Sequence, residues 1–374
     1  MILTARIRLN LDKVQAGHLL ETLKRANGCC NWMSGEAWQQ RTFSRYDLHR
    51  LVYRAARERF GLSAQVVVRL IAKVADAYKK DRRTERRFAS HGAIGYDARI
   101  LTFGTGEVSI WTLGGRQKIG YSAGPGQKEL LGTGQGESEL IYHGGKFYLA
   151  VSCTVEEAAP ARVEDFLGVD LGVVNIATDS DGKRYSGSML NNVRFRHGRL
   201  RRQLQACGSK SARRHLKKLS GREKRFARDV NHGIAKQVVA LAEGTRRGIA
   251  VEELTGIRDR ITAGRKRRAS ILHGWSFRQL RGYLEYKARR AAVVLIAVDP
   301  RNSSRACSCC GYTHKSNRPS QASFRCRSCG YTAHADVNAA QNLRSRANRQ
   351  LADRSALDLA SSGDFQSQPQ ATGF

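Results

Sequence analysis

The chain has 374 residues, 65 of them Lys or Arg against 32 Asp or Glu, for a formal net charge of +33. A hydrophobic content of 41% is enough for real cores and excludes a wholly disordered chain. The charge is hard to keep on a compact protein without a polyanionic partner, which puts nucleic-acid binders first.

At roughly 150 residues per domain the length predicts two or three domains. A membrane-surface protein competes as a class, but the charge is spread along the chain rather than gathered on one amphipathic helix. The longest wholly apolar run, Ala291–Val298, is too short to span a bilayer. The opening MILTARIRLN lacks the apolar core of a secretion signal. Nine cysteines, an odd number, then point to a reducing compartment. The expectation is a cytoplasmic, nucleoid-associated protein with no membrane partner.

In chain order, residues 1–10 read as a strand, with Ile7 and Leu9 alternating with Arg6 and Arg8. Residues 11–90 read as helical. Leu48, Leu51, Val52 and Ala55 form one apolar stripe, and Val67, Leu70, Ile71, Val74 and Tyr78 another. From residue 91 glycine becomes frequent and β-type runs appear, such as Val108–Leu113 and Lys146–Cys153. Gly144–Gly145 joins two runs as a hairpin. A small β-barrel (wedge-like) domain over 1–10 and 91–160 is expected, with 11–90 inserted as a helical domain.

Residues 156–163 read as a linker. The following FLGVDLGVVNIATDSDGKRYSG reads as a buried strand, a turn at Asp179–Gly182 and a second strand. Residues 194–228 carry 14 Lys or Arg and one acid, Glu223. Helical spacing continues to Gly244, then come a strand at Gly248–Leu254, a helix through Phe277, Leu280, Leu284 and Ala288, and a strand at Val293–Val298. A last helix starts near Asp336, and a polar tail over 351–374 is expected to be disordered.

The strongest motif is Cys307-x2-Cys310-x15-Cys326-x2-Cys329, each pair closed by a glycine. Two such knuckles complete a tetrahedral four-thiolate site for one structural Zn²⁺. Cys309 is a spare, and Cys29, Cys30, Cys153 and Cys207 read as packing residues. Arg301, Arg305, Lys315, Arg318, Arg325 and Arg327 surround the module, which suits a nucleic-acid contact.

Acids are scarce, so three contexts carry weight. Asp170 interrupts a buried strand, where a lone carboxylate is costly unless paired or bound to metal. Glu252 and Glu253 end another core strand, and alternation lets only one of them face a site. Asp336 opens a helix and could equally be its N-cap. Three such oxygen ligands from two strands and a helix can hold two Mg²⁺ ions. Asp179 and Asp181 read as turn chemistry.

At this point the sequence resembles a family. The blocks LGVDLGVVNIATDSDG, SARRHLKKLSGREKRFARDVNH, IAVEELTGIR, GWSFRQLRGYLEYKA, VDPRNSSRACSCCG and FRCRSCGYTAHADVNAAQN occur in the order seen in the TnpB family. These are transposon-encoded, RNA-guided nucleases related to type V CRISPR effectors. The resemblance covers roughly 165–345 and implies an α+β multidomain protein. A RuvC-like nuclease domain of ribonuclease H fold would occupy 161–302 and 333–350, interrupted by a zinc ribbon over 303–332. The family's catalytic acids fall on Asp170, Glu252 and Asp336. The resemblance also implies a guide RNA and a target DNA as partners, while the opening segment departs from the family by lacking its Pro-Thr turn.

An RNA-guided, Mg²⁺-dependent DNA endonuclease explains both the charge and the acids. Arg196, Arg199, Arg201, Arg202, Arg213, Arg214, Lys217, Lys218, Arg222 and Arg225 are then expected to contact nucleic-acid backbone. A non-cleaving nucleic-acid-binding protein or transposition accessory factor would be expected to lack one of the acids. A miniature type V CRISPR effector is the nearest alternative. The sequence is silent on oligomeric state.

Overall fold

Ala5, Ile7 and Leu9 alternate with Arg6, Arg8 and Asn10, so one side of this stretch can be buried and the other wetted. In the computed structural model, which describes residues 1–157, 159–253 and 277–363, it forms strand β1 (Ile2–Asn10) with those three apolar side chains buried. β1 lies within a seven-stranded antiparallel sheet. The order is β2 (Ile94–Tyr96), β6 (Gln135–His143), β7 (Lys146–Thr154), β1, β5 (Gly115–Ser122), β4 (Glu107–Thr112) and β3 (Leu101–Phe103). The edge strands β2 and β3 are consecutive in the chain and separated only by residues 97–100. The sheet must therefore curl until its edges approach, and it is nearly closed. Gly144 and Gly145 turn β6 into β7 at φ 58° and 76°, the left-handed geometry of a two-residue hairpin.

Three helices stand between β1 and β2: α1 (Lys13–Gln39), α2 (Arg45–Phe60) and α3 (Ala64–Lys80). Asp12, Ser44 and Ser63 each cap a helix by accepting the N–H three residues on. Their apolar faces share one core with the sheet. Two features depart from the sequence reading. Residues 81–90, expected to be helical, are irregular, with a bend at 83–84 and a turn at 90–91, because DRRTER has no apolar period. A short helix, α4 (Pro125–Gly132), interrupts the β region, with Pro125 at its first position, where no N–H is needed.

Residues from Glu157 form a second unit. Its five-stranded sheet has the order β10 (Arg184–Ser186), β9 (Asn175–Asp179), β8 (Phe166–Leu171), β11 (Gly248–Glu252) and β12 (Leu295–Val298). β8 is antiparallel to β9 and parallel to β11. The stretch read as one strand before Asp179 is thus two. The chain reverses at Gly172, where a Cβ would meet the Asn175 carbonyl at 2.8 Å. The run LGVVNIA is apolar apart from Asn175 and hides that turn. The second turn is as expected, with Asp179 Oδ1 accepting the N–H groups of Asp181 and Lys183.

β10 leads into α5 (Ser188–Cys207) and α6 (Lys210–Gly244), which reverse at Gly208. α7 (Phe277–Arg290) precedes β12, and β13 (Ser323–Arg325) pairs with β14 (Thr332–His334). The last helix, α8 (Ala335–Gly363), runs past the expected end near 350, since LADRSALDLA is rich in helix formers. Residues 364–374 of the expected tail lie outside the described residues. Among the described residues no helix is long and apolar enough to cross a membrane.

Alternation along β8 sorts the two faces of this sheet. Leu167, Val169 and Leu171 share a core with Ile234 and Val238 of α6 and Leu280 and Leu284 of α7. Phe166 turns the other way, toward Leu343 and Ala347 of α8. Gly168 and Asp170 share this second face. A Cβ on Gly168 would lie 2.0 Å from the Ala340 carbonyl oxygen and 2.8 Å from Arg344 N, so the backbone of α8 rests directly on β8. Gly168→Ala should therefore destabilise by roughly 1–3 kcal/mol, read as a lower urea midpoint. Gly233→Ala, in α6 with nothing within 4 Å, should instead gain about 0.5–1 kcal/mol.

Candidate functional site

Asp170 lies two strand residues beyond the Gly168 contact, an advance of about 6.6 Å. Asp336 lies four helix residues before Ala340, about 6 Å along α8. The close approach at Gly168 thereby carries Asp336 to Asp170. The parallel register sets Val251 against Val169, so the next residues, Glu252 and Asp170, are neighbours on one face. Burial holds the Asp170 carboxyl well above the ordinary carboxylate range, the charges of Glu252 and Asp336 raise it further, and Arg318 opposes them. Burial pushes Glu252 up to about 7, with the Leu171 N–H pulling the other way.

Glu253 is engaged elsewhere. Arg281 of α7 grips its two oxygens at 3.0 and 3.3 Å, so it is Glu252 that meets Asp170. Asp336 sits inside the first turn of α8 and does not cap it. Its Oδ2 accepts Asn175 Nδ2 at 2.9 Å, and its Oδ1 faces Arg318 Nη2 at 3.3 Å. Sequence reasoning missed Asn175 and placed Arg318 only among the cations near the cysteines. They lie 161 and 18 residues from Asp336, and no spacing rule connects them.

The cysteine module is more tightly drawn. The sulfurs of Cys307, Cys310, Cys326 and Cys329 all lie within 4.8 Å of one another, the only such set among the described residues. Cys307 and Cys329 are 3.7 Å apart, and Cys310 and Cys326 3.6 Å. A tetrahedron with Zn–S bonds of about 2.3 Å has edges of about 3.8 Å. Gly311 and Gly330 take φ 77° and 74°, which closes each knuckle, and the Ser328 and Cys329 N–H groups reach Cys326 Sγ at 3.4 Å. The four thiols can hold a zinc ion. Cys309 is exposed and outside the set. Cys29, Cys30 and Cys153 are buried, but Cys207, expected in packing, is exposed at the end of α5, where Gly208 turns the chain outward.

The module is fastened to α8. Asn338 donates to the Ala306 carbonyl and accepts the Ser308 N–H, and Asn342 donates to the Ser303 and Ala306 carbonyls. Gln341 takes the Ser308 and Tyr331 hydroxyls. Within the module, Asn317 donates to the Arg305 and Tyr312 carbonyls and accepts the Arg327 N–H. Arg318 is the next residue, so the ribbon holds the cation that faces Asp336.

On the α5–α6 hairpin, Arg196, Arg199, Arg202, Arg213, Arg214, Lys217, Lys218, Arg222 and Arg225 are exposed. Arg214, Lys218, Arg222 and Arg225 follow one helical stripe. Arg201 does not belong with them. It pairs with Glu223 at 2.9 Å and ties α5 to α6.

Two family models match the chain. Residues 150–255 match OrfB_IS605, described as "Probable transposase", and residues 277–343 match the Cas12f1-like TNB domain. The CRISPR-associated endodeoxyribonuclease Cas12f1 of Sulfoacidibacillus thermotolerans is 32% identical over 236 residues, 57% of this chain and 54% of that protein. A TnpB-like protein of Methanocaldococcus jannaschii is 28% identical over 163 residues, 41% and 59% of the two chains. A cryo-EM structure of a Cas12f1–sgRNA–target DNA complex aligns over 92% of this chain and 99% of its own, at 16% identity and a TM-score of 0.40. The chain spans 39% to 59% of the length of the curated relatives it matches. The resemblance to TnpB-type proteins and their Cas12f relatives stands on these sequence matches.

Two outcomes follow from the geometry. Purified protein should carry one zinc per chain by elemental analysis. Ser at Cys307, Cys310, Cys326 or Cys329 should lose the metal and unfold the ribbon, while Cys309→Ser keeps both. The second concerns pH. Glu252 holds its proton to higher pH folded than unfolded, so its stabilisation is fully present below the ordinary value of 4.5 and is lost as pH rises through about 7. In metal-free protein, the stability of wild type relative to Glu252→Gln should therefore fall between pH 4 and 8 by an amount on the order of 3 kcal/mol, read from urea midpoints at each pH.

Proposed function

We propose that this chain is an RNA-guided DNA endonuclease of a transposable element, with a guide RNA and a target DNA as its partners. The observation that carries the reading is that Glu252 is the register neighbour of Asp170 on one sheet face and that the charges of Glu252 and of Asp336, at the start of α8, both raise the Asp170 carboxyl. We read the five-stranded sheet as a RuvC-like ribonuclease H fold. Its support is a mixed sheet whose central strand, β8, bears Asp170, with an antiparallel hairpin on one side and parallel strands on the other. In this reading 161–302 and 333–350 form the nuclease domain and 303–332 the ribbon. Residues 1–10 and 91–160 form a wedge-like barrel, and 11–90 a helical recognition domain.

The donor set at the carboxylates is all hard oxygen, desolvated and mutually repelling, which suits divalent cations. Two Mg²⁺ ions bound there would supply charge stabilisation and an activated water for in-line phosphodiester hydrolysis. The chain's own contribution is placement. Asn175 fixes the rotamer of Asp336, and Arg318 lowers the local negative potential that an incoming phosphate must meet. In the absence of metal, burial raises both Asp170 and Glu252 above the ordinary carboxylate range. The exposed cations of α5 and α6 hold nucleic acid by its backbone, leaving sequence reading to base pairing.

A miniature type V CRISPR effector is the second reading, favoured by the Cas12f1-like TNB match over residues 277–343. The DNA flanking the gene separates the two: a transposon end for the first, a repeat array for the second.

RNA that co-purifies with the protein should include one discrete species, and the loaded protein should cut DNA matching it. Asp170→Ala, Glu252→Ala and Asp336→Ala should each lower cutting by more than about a hundredfold, non-additively, while target affinity in a gel-shift assay stays within about threefold. Robust cutting by any one of them removes that residue from the site. Changing Arg213, Arg214, Lys217 and Lys218 together to Gln should lower the salt slope of binding by about four units for every matched target. An unchanged slope would mark these four cations as merely solvated.

A further inference from the structure

The irregular segment 81–93 of the first unit is unusual in how it is held. α1 carries Asn27, Asn31 and Ser34 at i, i+4 and i+7, one polar stripe on a helix whose neighbouring faces are apolar. That stripe takes the backbone of this segment. Ser34 Oγ donates to the Arg86 carbonyl at 2.6 Å. Asn31 grips Phe88 twice, accepting its N–H at 2.7 Å and donating to its carbonyl at 2.9 Å. Asn27 Nδ2 donates to the Gly92 carbonyl at 2.8 Å. From α3, Tyr78 Oη accepts the Arg86 N–H, and Lys73 Nζ donates to the Ala93 carbonyl at 2.8 Å. Helix side chains thus do for this segment what a neighbouring strand would do in a sheet.

The consequence is a fixed backbone with chosen side chains outward. Arg86 is used up inside the strap, against Asp81 and Thr84. Arg82, Arg83 and Arg87 are exposed, and among the described residues no acid is paired with them. Arg82 rests near the ring of Phe43 at 5.8 Å, which limits its sweep. A flexible basic loop would lose its chain entropy on binding, whereas this one has lost it on folding.

We propose that the strap 82–87 is a preorganised docking surface for the sugar–phosphate backbone of a nucleic acid, built from Arg82, Arg83 and Arg87 and held in register by Asn31. It rests on the nucleic-acid reading above and adds to it a second contact surface, in the first unit.

The test uses the full-length protein and three probes: a single-stranded RNA, a DNA duplex, and an RNA–DNA duplex of about 20 base pairs. Affinity is measured against salt. Combined Arg82→Gln, Arg83→Gln and Arg87→Gln should lower the salt slope by about three units on at least one probe. The probe affected identifies whether RNA or DNA occupies the strap. Asn31→Ala removes no charge and suits a helix, so it should fold with unchanged circular dichroism. It should weaken the same probe by about threefold to tenfold with the slope preserved. A triple variant with the wild-type slope on every probe overturns the proposal. So does Asn31→Ala at wild-type affinity, since the strap would then not need its clasp. Wild type that binds none of the probes overturns the functional reading, and this surface with it.

Discussion

Like charges gathered on a half-buried surface repel, and the second unit is organised by the need to hold three of them there. Asp170 is the focus, desolvated on the central strand and raised further by Glu252 and Asp336. Nothing in the local sequence favours this arrangement, so it has to be imposed by packing. Two contacts impose it: the parallel register of β8 with β11, and the seat of α8 on Gly168. The core on the opposite face, Leu167, Val169 and Leu171 against α6 and α7, stabilises β8 independently of the acids. The strand can therefore carry a destabilising residue at its end.

The ribbon enters the same balance. It is a small module with little apolar content of its own, Phe324 and Tyr331 besides its cysteines, so a metal is the expected source of its folding energy. Asn338, Gln341 and Asn342 bind it to the helix that begins with the site acid. Arg318 reaches from it back to Asp336. A rigid ribbon therefore fixes both the helix start and the cation opposite it. In the proposed enzyme, removing zinc would disturb the acid site through Arg318 without touching any of the three carboxylates.

What could be read from the sequence follows from how local the determining physics is. The cysteine set was legible because a tetrahedral site fixes both spacing and glycine position. Asp170 was legible because a charge inside a β-period apolar run contradicts its surroundings. The choice between Glu252 and Glu253 was not local. It depends on Arg281, a helix away, claiming Glu253. The turn at Gly172 was hidden by apolar residues on both sides, and Arg201 looked like its neighbours until Glu223 was seen to face it. The strap was invisible for a related reason: its partners, Asn27, Asn31 and Ser34, are ordinary helix residues, and only the fold aims them at another segment's backbone.

The acids also explain why the net charge is a surface property. Asp165 holds Arg344 and Asn348, Asp181 holds Arg247, Glu223 holds Arg201 and Glu253 holds Arg281. Each of these acids is spent on joining one element to another, which fixes one cation per acid in the scaffold. With 65 basic residues against 32 acidic ones, many cations have no acid to pair with, and those on the α5–α6 hairpin and on the strap lie in water. A surface of that kind is destabilised by its own repulsion until counterions or phosphates collect on it. In the proposed function the phosphates of a nucleic acid would do so with the release of bound ions, and the same imbalance that strains the free protein would drive its association.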